Sequence, residues 1–330
     1  MKRLVLLGAF PTLLIALVLG TRSPQSAAAG DLSGATAVST SIGTATAPSS
    51  TGNLFDDFNY SSVDDPTFRT NGWIARTVAG WPGVEGAVWD KDGITFLPDP
   101  DHADNSLMQM TSSTDGTPAN THQTQVCQRR KFFEGTYASR VRFTDNPRNT
   151  PGDQVVETLY TISPLKFDLD PDYSEMDFEY LPNGGWGIAG HVLHMTTWKT
   201  YRPEPNWQAD NSNNHFMRSY AGWHTLVIQV ASGTAKYYVD GHLAATHSGK
   251  YYPRVPMSIN YNLWFIRDGF LNSGSVRTYI EQVDWLYFVA NTVLSPDQVA
   301  VKVAGLRSQG IHFQDSVPSV TPSMESPCDT

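Results

Sequence analysis

The sequence predicts an all-β protein, an antiparallel sandwich of two sheets with one short C-terminal helix. Three observations carry that expectation. Short runs of alternating apolar and polar residues recur between 135 and 289, the period-two pattern of half-buried strands. Turn residues separate them, most clearly Asp240-Gly241 between two such runs, a pair suited to a tight hairpin turn with positive φ. Helical periodicity is scarce in the same span and no βαβ rhythm occurs, which disfavours a parallel sheet.

The elements follow in order. Lys2 and Arg3 precede an apolar run from Leu4 to Leu19, and Ala27-Ala28-Ala29 stands before Gly30. That is the layout of a signal peptide over 1–29; a retained N-terminal anchor is the alternative, although the run is short of the about 20 apolar residues a span needs. A secreted, extracellular protein is expected. Residues 30–52 are Ser, Thr, Ala and Gly with almost no bulky side chain, a flexible linker that cannot form a core. The folded domain is placed at 53–290, opening at Leu54-Phe55-Asp56-Asp57-Phe58. Strands are expected over 135–143, 154–162, 192–198, 223–230, 234–239, 242–247, 257–265 and 277–289. Residues 291–330 form a C-terminal helix and a tail. Ser295-Pro296-Asp297-Gln298 is a capping box with proline at the first helical position, and Gly310 is a stop signal. Val299, Val301, Val303, Ala304 and Leu306 give that helix an apolar side, and the Ser/Pro-rich end beyond Phe313 reads as loose.

Composition narrows the partners. Without Lys2, Arg3 and Arg22 the chain has 20 basic and 32 acidic residues, a net charge of −12. No basic stripe is present to track phosphates, so neither nucleic acid nor an anionic membrane is expected as partner. A neutral polymer suits this charge, and nine tryptophans suit a polysaccharide, since pyranose faces stack on aromatic rings. Cys127 and Cys328 permit one disulfide in an oxidising compartment, but nothing in the sequence sets their distance. Neither sits in a Cys/His cluster, so no zinc site is expected. The protein is expected to act as a monomer and to require no cofactor.

The most informative segment is Ser174-Glu175-Met176-Asp177-Phe178-Glu179-Tyr180. On a strand, Met176, Phe178 and Tyr180 fall on one face and three carboxyl groups on the other. Such a row is costly, because like charges repel and acidic residues are poor strand formers. Two readings stand. The row is a solvated face that discourages edge pairing, or it is catalytic: cleavage of a glycosidic bond needs two carboxyl groups in different protonation states at close range.

Glu175-Met176-Asp177-Phe178-Glu179 is similar to the Glu-x-Asp-x-Glu signature of glycoside hydrolase family 16, which includes lichenases, laminarinases and xyloglucan endotransglycosylases. Other stretches resemble that family in the same order. They are Leu54 to Phe58, Phe133-Glu134-Gly135-Thr136-Tyr137 to Phe143, Val155 to Ser163, Trp223-His224-Thr225, Tyr237-Tyr238-Val239-Asp240-Gly241, Pro256-Met257 to Asn262-Leu263-Trp264, and Val283-Asp284-Trp285-Leu286-Tyr287. The resemblance covers most of 54–289 and is nearest to the branch whose catalytic strand is regular. It implies a concanavalin-A-like β-jelly roll with a concave substrate cleft, and hydrolysis with retention of configuration. It also implies Glu175 as nucleophile, Glu179 as general acid/base and Asp177 as helper between them.

Further residues carry expectations of their own. His194, Thr196 and Trp198 share a face by alternation and, beside the acid row, line sugar subsites; otherwise His194 is structural and Trp198 core. Trp186 follows Asn183-Gly184-Gly185 and is expected to stack on substrate. Asn262 and Trp264 match family positions that contact sugar. Trp207, in a polar loop, shapes one end of the cleft or pins the loop, while Trp73, Trp81 and Trp89 read as structural. Asp284 matches a structural calcium ligand in part of the family. The function expected is an endo-β-glycanase on β-1,3 or mixed β-1,3/1,4-glucan, with a transglycosylase or a non-catalytic lectin-like module as alternatives.

Overall fold

The computed structural model describes residues 51–328 apart from 103, 146–151 and 272. The expected signal peptide and nearly all of the linker lie outside the described residues. No helix among the described residues is long and apolar enough to cross a membrane.

The strands are β1 (Asn53–Asp56), β2 (Trp73–Ala75), β3 (Val88–Trp89), β4 (Ile94–Pro98), β5 (Ser106–Thr114), β6 (His122–Gln128), β7 (Gly135–Phe143), β8 (Val155–Ile162) and β9 (Glu175–Leu181). They continue as β10 (Val192–Arg202), β11 (Gln208–Phe216), β12 (Gly222–Ala231), β13 (Thr234–Val239), β14 (His242–Ser248), β15 (Ser258–Phe265), β16 (Arg277–Ala290) and β17 (Phe313–Asp315). The helices are α1 (Pro66–Thr70) and α2 (Pro296–Ser308).

Two antiparallel layers result. Sheet A runs β4–β5–β16–β7–β12–β13–β14, with β1 beside the second half of β16 and β17 outside β1. Sheet B runs β2–β6–β15–β8–β9–β10–β11. A Ser113–His122 pairing between β5 and β6 joins the layers. β3 departs from the antiparallel pattern, pairing in parallel with β6. The alternating residues meet between the layers: Met176, Phe178 and Tyr180 of β9 and Ile259, Tyr261 and Leu263 of β15 pack with Val141, Leu226, Ile228 and Phe288 of sheet A, all essentially inaccessible. Burying this apolar face fixes the register, because a slip of one residue would turn the carboxyl groups inward. The β13–β14 turn has the expected conformation, with Asp240 at φ 49° and Gly241 at φ 79°.

Three regions differ from expectation. β11 forms where a polar loop was read, because Asn-rich Gln208–Phe216 has an unpaired β10 to lie against and remains largely exposed. Val301 of α2 is 72% exposed. The packed side of α2 is Val299 and Val303, one turn apart, with partly buried Leu306 as expected, against Phe55, Ala138, Val227, Trp285 and Tyr287 on the outer surface of sheet A. The C-terminal tail is not loose. β17 extends sheet A, Lys131 pairs with Asp315 at 2.5 Å, Arg130 bridges Met324, and Cys328 is disulfide-bonded to Cys127 across 201 residues. Beside these polar and covalent ties, Val317 is buried in the main core and Phe313 packs against it.

Candidate active site

β9 is an uninterrupted strand, paired on both sides without a register shift. Glu175, Asp177 and Glu179 therefore emerge from the face of sheet B turned away from the core. Asp177 is buried, while Glu175 and Glu179 keep partial exposure. Their cross-strand neighbours are Ile162, Tyr160 and Thr158 on β8, and Trp198, Thr196 and His194 on β10. One strand beyond β8, Asn260 and Asn262 of β15 continue the same rows, with Trp264 at the end of that face.

The environment divides the three carboxyl groups. Tyr173 donates a hydrogen bond of 2.6 Å to Glu175 Oε2. Trp198 donates its indole N–H to Asp177 Oδ2 at 2.8 Å, while Asp177 Oδ1 receives no donor. Burial raises all three above the ordinary carboxylate range. For Asp177, burial is joined by the negative charges of Glu175 and Glu179, which hold its proton most firmly. At Glu175 the effect of burial is opposed by the Tyr173 hydrogen bond and by the neighbouring Asp177 carboxyl. Glu179 is raised by burial and by the charge of Glu175, with no compensating hydrogen bond. Glu175 thus has a donor that favours its charged form and Glu179 has none, the kind of asymmetry a nucleophile and a general acid need.

Each expected binding residue can be placed. His194 is buried, accepts or donates at Nδ1 with Asn213 of β11, and has no partner at Nε2; burial lowers its pKa and favours the neutral ring. Thr196 accepts from Asn213 Nδ2 at 2.7 Å. Trp198 holds Asp177, a role expected neither of a core residue nor of a sugar platform. Asn262 is almost fully buried and accepts a 2.5 Å hydrogen bond from Thr158. Trp264 is buried with one ring neighbour on each side, Trp186 at 6.3 Å and Trp81 at 6.2 Å. Trp186, at φ 49°, is half exposed and also faces His194 at 5.5 Å.

Tyr173 was not singled out from the sequence, though it lies two residues before Glu175 and so shares its parity on the chain. Trp81 was read as structural, as were Trp73 and Trp89. The last two are buried, but Trp81 is 57% exposed and stands over this face. At the far side of the sheet the Cys127 side chain shares the rows of Asn260 and Tyr160, so its disulfide sets Cys328 against the same face, three strands from Asp177.

Asp284 does not fit a calcium ion. Its Oδ1 accepts from Arg307 at 2.6 Å and from Asn105 at 2.7 Å, and its Oδ2 accepts from Arg140 at 2.7 Å. Two guanidinium groups thus occupy the carboxylate and would repel a cation. Among the described residues no group of three or more His, Cys, Asp or Glu could hold a metal.

No protein-family model matches the chain, and no curated protein matches it in sequence. Solved structures do match. A glycoside hydrolase family 16 endo-glucanase from Bacteroides ovatus aligns at TM-score 0.52 and 14% identity, over 70% of this chain and 98% of that one. Porphyranase B from Zobellia galactanivorans aligns at 0.51 and 14%, over 72% and 90%. A β-glucanase from Bacillus licheniformis aligns at 0.50 and 14%, over 72% and 97%. At these identities the likeness speaks to architecture: the described domain has the jelly-roll fold of the family 16 glycoside hydrolases.

Proposed function

We propose that the protein is a secreted endo-β-glycanase that cleaves a β-1,3 or mixed β-1,3/1,4-glucan with retention of configuration. The observation that carries this reading is the unequal treatment of the two glutamates. Tyr173 donates to Glu175, whereas no protein donor among the described residues reaches Glu179. Glu175 carboxylate attacks the anomeric carbon while Glu179 gives its proton to the departing glycosidic oxygen. The C–O bond to the leaving sugar breaks as the glycosyl–Glu175 ester forms. Glu179, now ionised, takes a proton from water, whose oxygen displaces Glu175 and restores both groups. Trp198 holds Asp177 in the row between them. The fold shared with a family 16 endo-glucanase and a β-glucanase supports the choice of substrate class.

Transfer of the glycosyl group to a second sugar is the other fate of the same ester. The exposed rings of Trp186 and Trp207 offer stacking surface for a sugar acceptor. Longer oligosaccharides among the products would identify transfer, and shorter oligosaccharides alone would identify hydrolysis. The reading is tested by reducing-sugar release from a panel of β-glucans and galactans. Glu175→Ala and Glu179→Ala should each abolish release in a folded protein. Binding without release on every polymer would instead favour a lectin-like module.

A further inference from the structure

Two exposed tryptophans from opposite edges of sheet B meet over its outer face. Trp81 belongs to the segment after β2, at one edge, and Trp207 to the turn between β10 and β11, at the other. Neighbouring strands lie about 4.8 Å apart, so β2 and β10, five strands apart, would be roughly 24 Å apart on a flat sheet. The two rings are nevertheless 6.5 Å apart, centroid to centroid. Trp81 also lies 6.2 Å from Trp264, level with Val156, the residue before the Glu157–Tyr180 pair of β8 and β9. Trp207 lies 6.1 Å from Trp198, whose partner on β9 is Glu175. The line joining these contacts passes diagonally above the row from Glu175 to Glu179.

The bridge is built on firm supports. Buried Arg76 donates to the carbonyls of Val78 and Trp81 and to Gln125 Oε1, and its guanidinium stacks on Trp89 at 4.4 Å. Trp89 in turn donates to the Gly80 carbonyl at 3.2 Å. Trp207 rests on Tyr201 at 5.7 Å and on Trp198. Yet Trp81 and Trp207 stay 57% and 45% exposed. Indole rings held in place but left open to water offer apolar surface to a ligand.

We propose that Trp81 and Trp207 form an aromatic clamp that parts to admit a linear glycan and then stacks on a pyranose ring beside the scissile bond. The inference rests on the glycanase reading and deepens it to a specificity. Ring faces hold a sugar between them at about 3.5–4 Å on each side, a gap of roughly 7–8 Å, so the rings, now 6.5 Å apart and inclined at 46°, must both separate and turn face to face. A sugar stacked on both faces must present C–H groups on both. A β-linked glucose residue with equatorial hydroxyls does so. An axial hydroxyl, as in galactose, sets an unpaired polar group against an indole and is disfavoured. A branch at the clamped residue is excluded by the same contact.

The test uses the full chain carrying Glu179→Gln, which stops turnover. Binding of β-1,3- and β-1,4-linked glucohexaose and of β-1,4-galactohexaose is measured by tryptophan fluorescence and calorimetry. Trp81→Ala and Trp207→Ala should each weaken glucohexaose binding about tenfold, the order of one ring stack, and bring the glucose-to-galactose affinity ratio towards one. Trp81→Phe and Trp207→Phe should restore most of it, and melting temperatures should not change, as expected of exposed rings. Affinities within twofold of the parent in both alanine variants, while the protein without Glu179→Gln still cuts glucan, would overturn the clamp alone. If the parent neither binds nor cuts any glycan, the glycanase reading falls and takes the clamp with it.

Discussion

Tyr173→Phe isolates the contact on which the unequal roles of Glu175 and Glu179 depend. The phenol donates to Glu175 Oε2 at 2.6 Å, and its buried ring packs edge-on against Tyr201 at 5.3 Å. Phenylalanine keeps that packing and removes only the donor. A hydrogen bond to an ionised group contributes about 1.5–3 kcal/mol, or roughly one to two pKa units. The lost bond stabilised the charged form, so the pKa of Glu175 must rise above its present value of about 7. In kcat/KM against pH, the rising limb reports formation of the Glu175 carboxylate and the falling limb loss of the Glu179 proton near 8; the limbs are properties of the coupled row. The substitution should move the rising limb upward by up to about one unit, to where Glu179 titrates, with any further rise carried by the falling limb, and lower kcat/KM at pH 6 about 10–100-fold. A rising limb that stays in place, with activity merely scaled down, would refute the assignment of Tyr173 as the donor that keeps Glu175 ionised.

Other consequences concern stability. Glu157 and Glu281 are fully buried in the core, each raised well above the usual carboxylate range by burial, and for Glu157 the charge of Glu281 adds to this. Their raised folded pKa values mean that stability is fullest below the unfolded pKa of about 4.3 and is lost as pH rises towards the folded values. Glu281→Gln should therefore shrink the fall in Tm between pH 5 and pH 9 by about 2–4 °C; an unchanged fall would contradict a protonated Glu281. Cys328→Ser opens the 201-residue loop and should cost about 2–5 kcal/mol, after which a reducing agent should no longer lower Tm. A reductant effect of equal size in the variant would show that the bond does not hold the tail. Chelator should leave Tm unchanged, whereas Arg307→Ala, by removing a partner of buried Asp284, should cost about 3 kcal/mol. The reverse pattern would restore calcium to Asp284.

The parts of the fold legible in the sequence are those governed by local periodicity. β7, β8, β12, β15 and β16 alternate strongly enough to be placed within a residue or two, and the acid row is visible because β9 alternates without interruption. The Ser295–Gln298 capping box forms as read. What stayed hidden depends on partners far away in the chain. β11 has poor strand formers and owes its conformation to pairing with β10. Nothing near Trp81 signals that Arg76 and Trp89 will present it above β9. Arg307 sits in the last turn of α2, and only the docking of that helix brings it to Asp284. Tyr173 had a local signal, its parity with Glu175, but a tyrosine before a strand is commonplace until the hydrogen bond is seen.

The most direct measurement is to trap the intermediate. A 2-fluoro-β-glucan oligosaccharide with a good leaving group should form an ester that deglycosylates slowly, and peptide mass spectrometry should locate the added mass on Glu175. The sugar released by the unlabelled reaction should keep its β configuration by NMR. An adduct on Glu179 or on any other side chain, or an inverted anomeric product, would contradict the roles assigned to the acid row.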